Sequence, residues 1–224
     1  MRHTNLLFVT VFTLIFLQSF AQGSGDSYNK IGISGGVVFA NIESDELNFT
    51  AGQGLTFGFE TRGSFSKVID FIYALSYFDA TMDIETGAMG GISPGSTNTE
   101  MTTMKLSSVQ LQFMGSLNIF RHHLSIEAGP AVAFQGKFKP QDGNDELRFV
   151  TGYNNVSIES LRETSTVDFR GVVGLTAGFE PIRVSLMYVR GFANTFSKLQ
   201  QANTETADFS GNTSYISLRG IVYF

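Results

Sequence analysis

Tyr215-Ile216-Ser217-Leu218-Arg219-Gly220-Ile221-Val222-Tyr223-Phe224 decides the fold. Ile216, Leu218, Val222 and Phe224 share one parity, interrupted only by Gly220, while Ser217 and Arg219 occupy the other. Side chains alternate across a strand, so this segment offers an apolar row to one side and a polar row to the other. A strand with lipid outside and a wet lumen inside needs that pattern. Ending on Phe224 without a polar tail predicts a strand that closes a barrel.

Seven further segments carry the same period: 30–42, 53–63, 67–79, 104–120, 123–137, 165–179 and 182–192. In the second, Leu55, Phe57 and Phe59 oppose Thr56, Gly58, Glu60 and Arg62. In the fourth, Val109, Leu111 and Phe113 oppose Ser108, Gln110 and Gln112. Helical spacing fits none of them as well. The connections at 63–66, 121–122 and 180–181 are tight, and those at 43–52, 80–103, 138–164 and 193–212 are long and polar. Short and long connections alternate strictly, as in a barrel with periplasmic turns, external loops and both termini in the periplasm. The sequence predicts an all-β fold, an eight-stranded antiparallel up-and-down transmembrane β-barrel spanning residues 30–224. Gly87-Ala88-Met89-Gly90-Gly91-Ile92-Ser93-Pro94-Gly95-Ser96 typifies the long loops, a composition expected to be flexible and unable to bury a core.

Ahead of the barrel, Arg2 and His3 precede the apolar run from Leu6 to Phe20, and Ser19-Phe20-Ala21 resembles a small-x-small cleavage site. Residues 1–21 are therefore expected to be a cleaved signal peptide, with 22–29 a periplasmic lead-in. Removing Arg2 takes the formal charge of −5 one unit further negative, a poor balance for nucleic acid. With no cysteine, the exported chain has no disulfide framework or thiolate metal site. Charged residues make up 16%, below the roughly 25% of soluble domains, and 22 Phe are available to face lipid.

The strand patterns Lys30-Ile31-Gly32-Ile33-Ser34-Gly35-Gly36, Ile126-Glu127-Ala128-Gly129-Pro130-Ala131-Val132 and Ile216-Ser217-Leu218-Arg219-Gly220 resemble the PorT-like outer-membrane β-barrel family of Gram-negative bacteria. The resemblance implies an integral outer-membrane barrel inserted by the barrel-assembly machinery. It also implies that the terminal strand, ending in Tyr223 and Phe224, is the insertion signal. It says little about activity, although a few relatives serve protein secretion.

The polar rows place Glu60, Arg62, Asp70, Glu127, Asp168, Arg170, Arg183 and Arg219 in the lumen. An eight-stranded barrel is just wide enough for side chains to fill it, and isolated buried charges are costly. These residues should form an ion-pair network, with Glu127 expected to meet Arg219 or Arg170. The alternative is a gated ion path. No catalytic set emerges, because the mature histidines, His122 and His123, share a turn on the periplasmic side and are expected to be solvated there. No cofactor and no metal is expected. Asp142-Gly143-Asn144-Asp145-Glu146 gathers oxygen ligands but misses the calcium-loop spacing, so it reads as a solvated acidic turn.

Arg190 has the lipid-facing parity of Leu186 and Tyr188. It should lie near the outer interface, reaching toward lipopolysaccharide, or turn inward through a bulge. Tyr77, Tyr188 and Phe192 are expected in an outer aromatic girdle, and Phe65, Phe120, Tyr223 and Phe224 in an inner one. The expected partners are outer-membrane lipid and lipopolysaccharide, plus an extracellular ligand met by the long loops. The expected role is a non-enzymatic structural or surface-adhesion barrel at the cell surface. A narrow channel or secretion accessory comes second, and a soluble lipocalin-like lipid-binding barrel third.

Overall fold

The computed structural model describes residues 29–44, 47–87, 99–120, 122–141, 149–150, 158–161, 165–197 and 210–224. The expected signal peptide, the lead-in up to residue 28 and the acidic stretch 142–146 lie outside them. Asn29 opens the first strand rather than closing the lead-in.

The barrel strands are β1 (Asn29–Glu43), β2 (Gly52–Ser64), β3 (Ile69–Gly87), β4 (Thr99–Phe120), β5 (Leu124–Gln135), β6 (Val167–Phe179), β7 (Ile182–Gly191) and β8 (Asn212–Tyr223). Each pairs antiparallel with the next in sequence. β8 then pairs with β1, from Gly32 opposite Tyr223 to Glu43 opposite Asn212. The ring of eight is closed, which leaves the wall no free edge.

The short turns hold as the sequence places them. Phe65 N and Ser66 N both donate to Ile69 O at 2.9 Å, and His123 N donates to Phe120 O at 3.0 Å. Gly178 is needed beside the third turn. Its φ is +146°, and an added Cβ would lie 2.6 Å from Ile182 O.

The two faces of the wall differ in kind. On β7, Ile182, Val184, Leu186 and Tyr188 are exposed, while Arg183, Ser185, Met187 and Val189 are buried. The same alternation places Phe57, Phe59, Phe71, Tyr73, Leu75, Leu111, Phe113 and Leu218 outside. An apolar surface this continuous is far larger than a soluble monomer tolerates. It forms a band flanked by Phe65, Phe120, Phe179 and Phe224 at the short-turn end and by Tyr77, Tyr188 and Phe192 at the other. A lipocalin has the opposite polarity, apolar within and polar without, so that alternative is overturned. Leu186 lies near the middle of the band. Leu186→Arg should therefore cost about 2–4 kcal/mol, read by urea unfolding in lipid vesicles. A neutral result would mean that this face meets water.

Tyr223 departs from the expected inner girdle. It is buried, because Phe224 and Val222 take the outward parity and leave Tyr223 pointing into the lumen. Within the pair read as an insertion signal, only Phe224 faces the lipid side.

Much of the expected loop 80–103 is strand. β3 continues to Gly87 and β4 begins at Thr99, paired throughout from Thr99–Gly87 to Leu117–Ile69. Period two persists there, but its polarity inverts. Ala80, Met82, Ile84, Met104 and Leu106 turn inward and are buried, while Thr81, Asp83 and Glu85 turn outward. Above the lipid band the outside is water, so the apolar row must move to the inside. From Tyr77 to Gly87 the strand reaches on the order of 30 Å along its own direction.

Candidate functional site: the lumen and its outer cap

All eight lumen residues read from the sequence are buried. They sort into two levels according to their distance from the short turns. Arg62, two residues before the end of β2, organises the lower level. Its Nη1 lies 3.3 Å from Asp70 Oδ2 and donates to Ser116 Oγ at 2.9 Å. Its Nη2 is ion-paired with Glu127 Oε1, and its Nε donates to Tyr223 Oη at 3.4 Å. The Tyr223 hydroxyl in turn donates to Glu60. Three carboxylates from β2, β3 and β5 thus converge on one guanidinium, directly or through a single tyrosine.

The expected partners of Glu127 are corrected by this geometry: it meets Arg62 rather than Arg219 or Arg170. Glu127 is further held by Thr176 Oγ1 at 2.8 Å and Ser125 Oγ at 3.3 Å. Arg170 sits nine residues from the end of β6, too far up the barrel to reach Glu127. There it forms the upper level with Asp168, Nε to Oδ2 at 2.8 Å. Its Nη1 donates to Gln110 Oε1 at 2.9 Å, an acceptor shared with the Tyr215 hydroxyl at 3.0 Å. The guanidinium also lies 5.5 Å from the Phe78 ring centre and 5.7 Å from that of Tyr215. Arg183 donates to Ser125 Oγ at 2.9 Å and to Thr176 O at 3.2 Å. No carboxylate among the described residues pairs with Arg183 or Arg219 within 4.0 Å.

His122 is tied into the lumen rather than simply solvated. Its Nδ1 lies 3.5 Å from Asp70 Oδ2 and 3.3 Å from Asn118 Nδ2, and Asn118 donates to the same carboxylate at 3.0 Å. His123 Nδ1 lies 3.3 Å from Gly178 O.

Above the charges the interior becomes apolar, and parts of the long connections close it. Leu47, Phe49, Phe138, Val150 and Phe196 pack on Met82, Ile84, Met104 and Leu106, together with Ile158 and Leu161 of the single-turn helix α1 (Ile158–Leu161). Phe49 stacks on Phe196 at 5.7 Å between ring centres and lies 6.3 Å from Phe138. Short ladders fix these segments to the protruding hairpin. Phe49–Thr50 pairs with β3 at Ile84 and Asp83, Phe149–Val150 with Gly87 and Thr86, and Lys139–Pro140 with β4 at Lys105 and Met104. The described parts of the long connections therefore do bury a core, contrary to expectation. The apolar residues spaced through them were the signal. Residues 88–96, which set that expectation, are outside the described ones.

On the outer surface of the hairpin, Lys105 Nζ lies 2.7 Å from Asp79 Oδ2, and that hydrogen bond raises the ammonium pKa above its ordinary value. Arg190 keeps its outward parity without a bulge. Its Nη2 pairs with Glu43 Oε2 at 3.0 Å, at the rim where the lipid band ends. Among the described residues, no group of three or more His, Asp or Glu is arranged to hold a metal ion.

No protein-family model and no curated protein matches the chain. Among solved structures, Neisserial surface protein A aligns at 9% identity over 87% of this chain and 97% of its own, with a TM-score of 0.51. The fold is that of an outer-membrane β-barrel. Ail of Yersinia pestis, solved with the heparin analogue sucrose octasulfate, aligns at 11% identity over 88% of this chain and 99% of its own, TM-score 0.45. OprG from Pseudomonas aeruginosa aligns at 8% identity over 89% and 98%, TM-score 0.43. This outer-membrane barrel fold accounts for the polar interior and apolar exterior, and identities this low carry nothing about activity.

Proposed function

We propose that the chain is an outer-membrane barrel with a closed lumen that works by surface contact through its external hairpin and cap. The observation carrying this reading is the filling of the interior at two heights. An Arg62-centred charge network occupies the short-turn end, and an apolar plug around Phe138 and Phe196 occupies the other. A barrel closed in this way leaves its external structure to do the work, and among the described residues the β3–β4 hairpin is the longest element outside the lipid band. A conducting pore, the second reading, would have to dismantle both layers. The role is non-enzymatic: His122 and His123 are engaged by Asp70, Asn118 and Gly178 at the short-turn end, away from the external surface.

The proposed location is the outer membrane of a Gram-negative bacterium, reached by a cleaved signal peptide and the barrel-assembly machinery. Lipid and lipopolysaccharide are the proposed surroundings. Affiliation with the PorT-like barrels rests on the strand patterns at 30–36, 126–132 and 216–220. Joining Thr81 to Lys105 by a tight turn tests the surface role. The shortened barrel should still insert and shift on a gel when boiled. Adhesion of intact cells to a panel of immobilised glycans and matrix proteins should be lost. Adhesion that survives the truncation contradicts the reading, as does single-channel conductance by the unaltered protein in planar bilayers.

A further inference from the structure

The lumen is divided by charge. Its carboxylates at the short-turn end, Glu60, Asp70 and Glu127, gather on Arg62 and Tyr223. The wall formed by β7 and β8 carries two further guanidiniums, Arg183 and Arg219, which are 1% and 2% exposed. Ser185 lies directly opposite Arg219 in the β7–β8 ladder, and Arg183 lies opposite Ile221. The two arginines are thus diagonal neighbours facing the same interior, with backbones about 7–8 Å apart. Arg183 Nε and Nη1, Arg219 Nε and Nη2, and Ser185 Oγ have no hydrogen-bond partner among the described residues. Arg183 uses only Nη2, on Ser125 Oγ and Thr176 O, and Ser125 is shared with Glu127.

Two like charges placed side by side in a low-dielectric interior repel each other, and buried donors without acceptors are costly. A small anion between them would answer both difficulties. It would accept from both guanidiniums and from the Ser185 hydroxyl, which can rotate to donate. We propose that the β7–β8 wall of the lumen holds a monovalent anion of halide size between Arg183 and Arg219. Arg183 is the second residue of β7, beside the Glu180–Pro181 turn, so the site lies at the short-turn end and would fill from the periplasm. The inference does not depend on any surface role of the hairpin.

The full chain, folded in detergent micelles, is heated in sodium bromide and in sodium gluconate at equal ionic strength, and its midpoint is read from the boiling-induced gel shift. The midpoint should be several degrees higher in bromide, with a saturable dependence on concentration. Arg183→Gln and Arg219→Gln should each abolish that difference, whereas Arg190→Gln at the outer rim should keep it. Anomalous diffraction from bromide-grown crystals of the unaltered chain decides the matter even where a variant fails to fold. A peak between Arg183 and Arg219 supports the site. Equal midpoints in the two salts, or bromide found only on the outer surface, overturn it.

Discussion

Arg62→Ala is expected to destabilise the barrel by about 3–5 kcal/mol, the cost of breaking a buried ion pair by removing one partner. Equilibrium urea unfolding in lipid vesicles would measure it. The loss is large because Arg62 serves Asp70, Glu127, Ser116 and Tyr223 at once, and its side chain and that of Asp70 are fully enclosed. Removing it strands two carboxylates and unseats the tyrosine that reaches Glu60. The effect should also be non-additive: Arg62→Ala combined with Glu127→Gln should cost clearly less than the two changes summed. Arg190→Ala provides the contrast. Its pair with Glu43 is about half exposed on both sides, so the change should cost no more than about 1 kcal/mol. Equal losses from Arg62→Ala and Arg190→Ala would show that the lumen is as wet as the rim.

Phe196→Ala should cost about 3–5 kcal/mol, the range for truncating a fully buried aromatic side chain. Phe196 is wholly buried between Phe49 and Phe138 and joins the segment after β7 to the plug above the barrel. The loss should be local. Amide exchange should accelerate in β3 beyond Ala80 and in β4 before Leu106, where the plug backs the inward apolar row. Exchange through the lipid band should be unchanged, since lipid and the closed hydrogen-bond ring protect those strands. Acceleration that spreads evenly through all eight strands would mean the cap and barrel are one cooperative unit.

The barrel was legible because an apolar outward row runs through every strand within the lipid band, opposite an inward row that carries the charges and amides among a few apolar residues such as Ile72, Val172 and Met187. Where surroundings change, the side taken by the apolar row changes with them. Ala80, Met82 and Ile84 obey period two as strictly as Phe71, Tyr73 and Leu75, but with the opposite parity. Reading the strand by its outward apolar row ends it at Asp79, whereas alternation of either sign carries it to Gly87. Tyr223 sits beside the aromatic end of the chain, yet it shares the parity of Arg219 and therefore points inward.

That the eight charges face the lumen was legible, whereas their pairing was not, and Arg183 and Arg219 stand outside the ion pairs they were expected to join. Pairing follows height above the short turns and position around the ring. Arg62 and Glu127 stand at a similar height on β2 and β5 and meet across the lumen, and Arg170 lies too high. Counting residues from each short turn would have separated the two levels, but the direction across the ring comes only from the closed sheet. The plug was hidden for a different reason. Leu47, Phe138 and Phe196 have polar or small neighbours on both sides, Val150 has only Phe149 beside it, and they converge only when the hairpin gives them a surface.

The central claim, lipid outside and a filled interior within, is tested most directly by nitroxide scanning of β7. The chain has no cysteine, so single cysteines can be placed at 182–189 without background. In reconstituted vesicles, labels at Ile182, Val184, Leu186 and Tyr188 should be relaxed by oxygen and not by a water-soluble nickel chelate. Labels at Arg183, Ser185, Met187 and Val189 should be reached by neither. Nickel access at the first set, with apolar quenching confined to the second, would reverse inside and outside and contradict the account.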